Sequence, residues 1–261
     1  MIRDVDWYAV HNEFIEGEPF NHVAIDNFFI PEIAQLLSEE FPDFNDPHVN
    51  DHNNPLEIKK SLNHWDRFPP LTYRAFTMFG RQEFMRNMEI VTDIYDNLLW
   101  YDYGLNGGGW HMHGRGGNNN IHLDYNIHPK LGQQRKLNII VYLTPNWQPE
   151  WGGGLELWSH DEENNQPKER VKTVENKFNR AVIFDTTQNS WHGLPHKIEC
   201  PEGVLRKSIA AYYTHPAPSS TEIRGRALFA PRADQKDDPH VQELIRKRSD
   251  VKTSQEVYKH E

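Results

Sequence analysis

A chain of 261 residues with 37% hydrophobic and 12% aromatic side chains can bury one sizeable core, which excludes a disordered polymer and does not require a second domain. Its one cysteine, Cys200, excludes an internal disulfide and any thiolate-rich zinc or iron–sulfur site, so a metal would be held by histidine and carboxylate. The formal net charge of −10 with no basic footprint argues against a nucleic-acid partner, and the lack of any apolar run near 20 residues, behind the charged start MIRDVDWYAVHNEF, argues against a membrane span or secretory signal and for a cytoplasmic protein.

FNHVAIDNFFIPEIAQLLSEEFPDF reads as a short strand and then a helix opened by Pro31 and closed before Pro42. Ile33, Leu36, Leu37 and Phe41 recur at helical spacing and predict one buried face. Residues 43–70, rich in Asn, Asp, Pro and His, predict a long irregular connection, and the histidines of DPHVNDHNNP a surface position. From 71 to 99 one or two amphipathic helices are expected, broken at Gly80, so residues 1–99 form a mainly helical support. From 100 to 215 the texture changes to short β-rich runs separated by turn residues. About eight strands fit a jelly roll, or double-stranded β-helix, with the N-terminal helices packed on one sheet. Residues 216–261 read as a polar C-terminal extension whose one convincing helix is DPHVQELIRKR.

In NNNIHLDYNIHPK, His122 and Asp124 are i and i+2, so on a strand both project from one face. An isolated HxD is weak evidence. NSWHGLPHKIE adds His192, 68 residues after Asp124 at the start of another predicted strand, and LRKSIAAYYT adds Arg206 and Ser208 on the last one. Two histidines and one carboxylate on one barrel face make a facial triad suited to non-haem Fe(II), with positions left open. Arg206 and Ser208 share a strand face, where a guanidinium and a hydroxyl can receive the far end of a dicarboxylate.

This ordered set, HxD…H…RxS, resembles the signature of the 2-oxoglutarate/Fe(II)-dependent dioxygenases. RKLNIIVYLTPNWQPEWGGGLELW is similar, more narrowly, to the prolyl-hydroxylase-like branch. The resemblance is close over residues 98–214 and looser over the helical front portion. It implies that His122, Asp124 and His192 bind Fe(II), that Arg206 pairs with the C5 carboxylate of the cosubstrate 2-oxoglutarate, and that Tyr142 hydrogen-bonds the same group, with Ser208 beside it. Asn138 shares the strand face of Tyr142 and is expected in the cavity. O2 is the oxidant and ascorbate the expected reductant. Asp124 itself implies hydroxylation or another oxygenation, because related halogenases carry a small residue there. The 14-residue spacing from His192 to Arg206 is wider than in the narrow branch, as a longer hairpin around ECPEG would explain. Tyr125, Trp191 and Trp110 are expected on the substrate side. A small-molecule or peptidyl substrate, prolyl or amino-acid-like, is implied; the oligomeric state is not.

Two other classes stay open. LNGGGWHMHGRGGNNN holds the pair His111 and His113, as in a cupin-type metal- or sugar-binding barrel, but no glutamate follows on the same strand. The glycines favour a flexible loop carrying His111, His113 and Arg115 near the substrate entrance. The third class is a non-catalytic interaction module.

Overall fold

A computed structural model describes residues 1–186, 189–221, 223–224, 226–250 and 253. Its N-terminal helices form where their caps and breakers allow. α1 (Trp7–Ile15) is capped by Asp6, whose carboxylate accepts from the backbone N–H groups of Tyr8 and Ala9. After β1 (His22–Ile25), Pro31 occupies the first turn of α2 (Pro31–Glu39), where its missing N–H is harmless. Within α2, Ala34 and Leu37 turn inward while Leu36, expected inside, stays exposed. α3 (Pro70–Phe79) and α4 (Gln82–Thr92) are separated at Gly80, as their periodicity predicts.

Residues 43–70 are not the irregular connection that their composition suggests. β2 (Asn50–Asn54) and β3 (Glu57–Leu62) form a hairpin, and β3 is built into the main sheet. Then follow β4 (Trp100–Tyr101), β5 (Gly109–His113), β6 (Asn118–Leu123), β7 (Gln134–Tyr142), β8 (Leu155–Asp161), β9 (Gln166–Val174), β10 (Ala181–Asp185), β11 (Trp191–Leu194), β12 (Arg206–His215), β13 (Leu228–Phe229) and α5 (Pro239–Ser249). Among the described residues thirteen strands form one antiparallel sheet ordered β1-β10-β7-β12-β5-β3-β6-β11-β8-β9, with β2, β4 and β13 added at β3, β12 and β6; nine of them, β4 to β12, lie within residues 100–215, where about eight are expected. The sheet curls into a nearly closed jelly-roll barrel.

Strand alternation divides the sheet into two environments. Trp110, Met112, Leu137, Ile139, Val141, Ile183, Ile209 and Tyr213 face outward and join Phe28, Phe76, Phe79 and Phe84 in the main apolar core under the helices. Each such side chain, fully buried, contributes about 2 kcal/mol. Their neighbours one residue away face the barrel interior, and many are polar. The helices therefore stabilise the sheet from outside and leave its inner face for chemistry. The extension after 216 is part of the wall: β13 pairs with β6, Phe229 stacks on His122 at 4.9 Å, and Asn120 on β6 receives Arg232 and donates to Gln235.

Trp110 belongs to this core and not to the substrate side. Its ring lies 5.4 Å from Phe41 and 5.1 Å from Phe68, behind the strand that it occupies. Replacing Trp110 with Ala is expected to cost about 3–5 kcal/mol of stability. A lower urea midpoint with an unchanged cosubstrate requirement would fit that position, whereas a specific loss of substrate affinity at full stability would not.

Candidate metal centre and its cavity

β6 and β11 are antiparallel neighbours, and their register sets His122 directly opposite His192 although 70 positions separate them in sequence. Asp124 lies just past the end of β6. His122 Nε2 is 3.7 Å from Asp124 Oδ1, and His192 Nε2 is 3.9 Å from Oδ2. These three donors lie within 4.8 Å of one another, the only such group of three among the described residues.

Backbone carbonyls decide which nitrogen faces inward. His122 Nδ1 donates to Asn120 O and His192 Nδ1 to Ser190 O, both at 2.8 Å. A carbonyl only accepts, so each Nδ1 carries the proton and each Nε2 presents a lone pair towards Asp124. Burial, reinforced by the charge of His192, lowers the pKa of His122 to about 3, and burial lowers that of His192. Burial alone would raise Asp124, but the Arg135 guanidinium and the two imidazoles outweigh it and hold the carboxyl at about 2. At neutral pH the set is two neutral imidazoles and one carboxylate, the protonation state that a divalent ion requires.

Gly193 is fixed by a close approach. A Cβ there would come within 2.6 Å of Asn120 O, the acceptor that orients His122, and the β6–β11 register shifts across it, between His192 and Leu194.

The triad opens into a cavity of about 750 Å³. Arg206 and Ser208, with Asn138, line it, and Arg206 is 3% exposed. Its Nε donates to Gly153 O at 2.7 Å, and its guanidinium carbon stands 4.9 Å from the Tyr142 ring. Gly153 has φ +74°, so the Gly152–Gly154 turn can bring its carbonyl against the arginine. Burial lowers the Arg206 pKa and no carboxylate offsets it. Tyr142 is fully buried, its hydroxyl without a protein hydrogen-bond partner.

Other expected positions divide. Tyr125 lines the cavity. Trp191 does not: it packs with Ile121, Leu123 and Ala230 and donates to His160 at 2.9 Å, because it precedes His192 and takes the opposite strand face. Arg115 donates to Cys200 O and pairs with Glu202, away from the cavity. His111 and His113 are on strand β5, not on a loop, opposite Ser208 and Arg206, and line the cavity. Among the described residues they do not form part of a three-ligand cluster, so a cupin-type site lacks support there.

Several cavity residues carry no advance signal. Arg135, 1% exposed, sits between the rings of Tyr125 and Tyr212 at 3.8 and 3.4 Å and places Nη1 3.2 Å from Asp124 Oδ2. It thus fixes the carboxylate from behind. On β3, Lys59 pairs with Glu57 at 2.9 Å, and Glu57 also binds Arg248 of α5. His52 lines the same wall rather than the surface.

Comparison with known proteins agrees with this geometry. Residues 108–214 match the model of the 2OG-Fe(II) oxygenase superfamily. A stretch of 83 residues is 32% identical to prolyl 3-hydroxylase OGFOD1 of Mus musculus, and one of 79 residues is 30% identical to prolyl 3-hydroxylase OGFOD1 of Xenopus laevis. These alignments cover 32% and 30% of this chain but 15% of each relative, so the chain spans a small part of the curated relatives' length. The crystal structure of a prolyl-4-hydroxylase from Pseudomonas putida superposes with a TM-score of 0.58 over 81% of this chain and 100% of that one, at 13% identity, a likeness of fold.

Proposed function

We propose, for a chain whose residues 108–214 match the model of the 2OG-Fe(II) oxygenase superfamily, that it is a member of that family and a 2-oxoglutarate-dependent hydroxylase of a prolyl, peptidyl or amino-acid-like substrate. The observation that carries the reading is the pair of inward Nε2 lone pairs facing one buried carboxylate, in the same cavity as an arginine without a carboxylate partner. In this reading His122 Nε2, His192 Nε2 and Asp124 hold Fe(II). Bound there with 2-oxoglutarate, the ion would supply O2 activation and the oxidising equivalents for substrate oxidation, with succinate and CO2 as coproducts.

The chain's own residues do the rest. Arg206 receives the far carboxylate of 2-oxoglutarate, with the hydroxyls of Tyr142 and Ser208 beside it, and that anion relieves the cost of a buried guanidinium. Asn138 offers an amide to the same cavity. Arg135 keeps Asp124 ionised and oriented, and the walls hold the reacting groups apart from bulk water. Tyr125, His111 and His113 are the cavity residues proposed for the substrate side. A cytoplasmic setting and ascorbate as reductant complete the proposal, supported by the lone Cys200 and by the family's chemistry.

The test is succinate formation that requires both Fe(II) and 2-oxoglutarate. Arg206→Met is expected to raise the 2-oxoglutarate KM on the order of 100-fold, the loss for one partner of a buried charge pair, with stability retained. Turnover indifferent to 2-oxoglutarate would overturn the proposal.

A further inference from the structure

A hydrogen bond at Nδ1 sets which nitrogen of a histidine faces inward, yet it does not by itself fix the tilt of the ring. In the triad the ring faces supply that constraint. The centre of the His192 ring lies 4.7 Å from Phe184 and 4.5 Å from His122, and His122 lies 4.9 Å from Phe229 with 27° between the two planes. The four rings form one row, Phe184, His192, His122, Phe229, in which the two imidazoles stand between two phenylalanines.

The two ends of the row differ in origin. Phe184 belongs to β10, within residues 108–214, whereas Phe229 belongs to β13, in the C-terminal segment beyond them. The β13–β6 register sets Phe229 directly opposite His122, and Ala230 N–H donates to Ile121 O at 2.8 Å, so the backbone ties this ring to the strand that carries the ligand. Cross-strand partners share a sheet face, and Phe229 stands on the inward one, 3% exposed. α5 holds it there. Arg248 sets its guanidinium carbon 4.8 Å from the centre of the Phe229 ring while its Nη2 donates to Glu57 of β3, and Val241 joins Phe229 and Leu56 in one apolar cluster. A leucine at 229 would fill much of the same space, but it would not offer a flat face to the imidazole.

We propose that Phe229 is a positioning residue for the metal ligand His122: its ring holds the imidazole at the tilt that aims Nε2 at the ion, and α5 keeps Phe229 in place through Arg248. The inference rests on the metal-centre reading and extends it, because it makes a segment outside the residues matched to the family a working part of that centre. Phe229 acts on the ion only through His122.

The full-length protein is titrated calorimetrically with Mn(II), and the urea midpoint is measured for each variant. Phe229→Leu is expected to weaken Mn(II) binding about 10-fold, the lower end of the loss for a group that supports a metal ligand. Phe229→Tyr keeps an aromatic face at that place and should stay within about threefold of wild type. Val241→Ala loosens the same cluster but leaves every ring of the row in place, so it should lower the urea midpoint and leave the Mn(II) Kd unchanged. Wild-type Mn(II) affinity in Phe229→Leu, or a loss of the same size in Phe229→Tyr or in Val241→Ala, would overturn the proposal. A wild-type protein that binds no Mn(II) would remove the metal-centre reading and the proposal with it, whereas Mn(II) bound equally by wild type and Phe229→Leu removes the proposal alone.

Discussion

His192→Ala is expected to lower Fe(II)- and 2-oxoglutarate-dependent succinate formation by at least about 100-fold, since loss of groups that merely support a metal ligand already costs 10- to 100-fold. Asp124→Ala should be as inactive, but its cause would be mixed. Arg135 is buried against Asp124, and removing the carboxylate leaves an uncompensated guanidinium, a loss of about 3–5 kcal/mol in stability. His192→Ala leaves the Arg135–Asp124 pair in place, so it separates loss of the metal from loss of the fold. The paired measurements are Mn(II) affinity by calorimetry and the urea midpoint. His192→Ala should lose the first and keep the second, and full turnover in that variant would contradict the assignment.

The second large effect is acid instability of the metal-free protein. His52 and His111 are lowered to about 4 and about 3, in each case by burial and then by the charge of Lys59. Burial with Arg206 lowers His113, burial with His192 lowers His122, and burial lowers His192 against the opposing charge of Asp124. His52, His111 and His122, held at about 4 or below, remain neutral in the fold at pH 5, while in the unfolded chain they take up protons below about 6.5. The unfolded state therefore binds more protons, and stability falls as pH falls. Each of these three accounts for about 2 kcal/mol between pH 7 and pH 5, so together they remove about 6 kcal/mol, the scale of an ordinary domain's stability. Circular dichroism is expected to show apo-protein unfolding near pH 5, with the midpoint shifted to lower pH by Mn(II), which binds the neutral imidazoles. The depressed carboxylates, Asp26, Glu57 and Asp124, contribute only at lower pH. A fold that persists unchanged below pH 4 would show that these histidines are not held neutral.

The triad and Arg206 are legible in sequence because HxD and RxS are strand-spaced pairs whose two members share a face. The same alternation, applied strictly, also puts Trp191 and Trp110 on the far side of their strands from His192 and His111. β3 is hidden because its inward residues, Glu57, Lys59 and Ser61, are polar, so NDHNNPLEIKKSL lacks the apolar alternation that marks a half-buried strand. His111 and His113 read as loop because glycines flank a strand of only five residues. Arg135 is missed for a different reason. Counting back by twos from Tyr142 and Asn138 leads to Lys136. A bulge in the β7–β12 pairing skips that residue, placing Tyr213 opposite Leu137 and Thr214 opposite Arg135, and so turns Arg135 onto Asp124. Register irregularities of this kind follow from cross-strand packing and leave no local mark.

The most direct measurement is anomalous diffraction at the iron absorption edge from crystals grown without oxygen in Fe(II) and 2-oxoglutarate. One peak in the cavity, bonded to Nε2 of His122, Nε2 of His192 and a carboxylate oxygen of Asp124, is the predicted result. Iron seated instead on His111 and His113, with the three donors of β6 and β11 left empty, would contradict it.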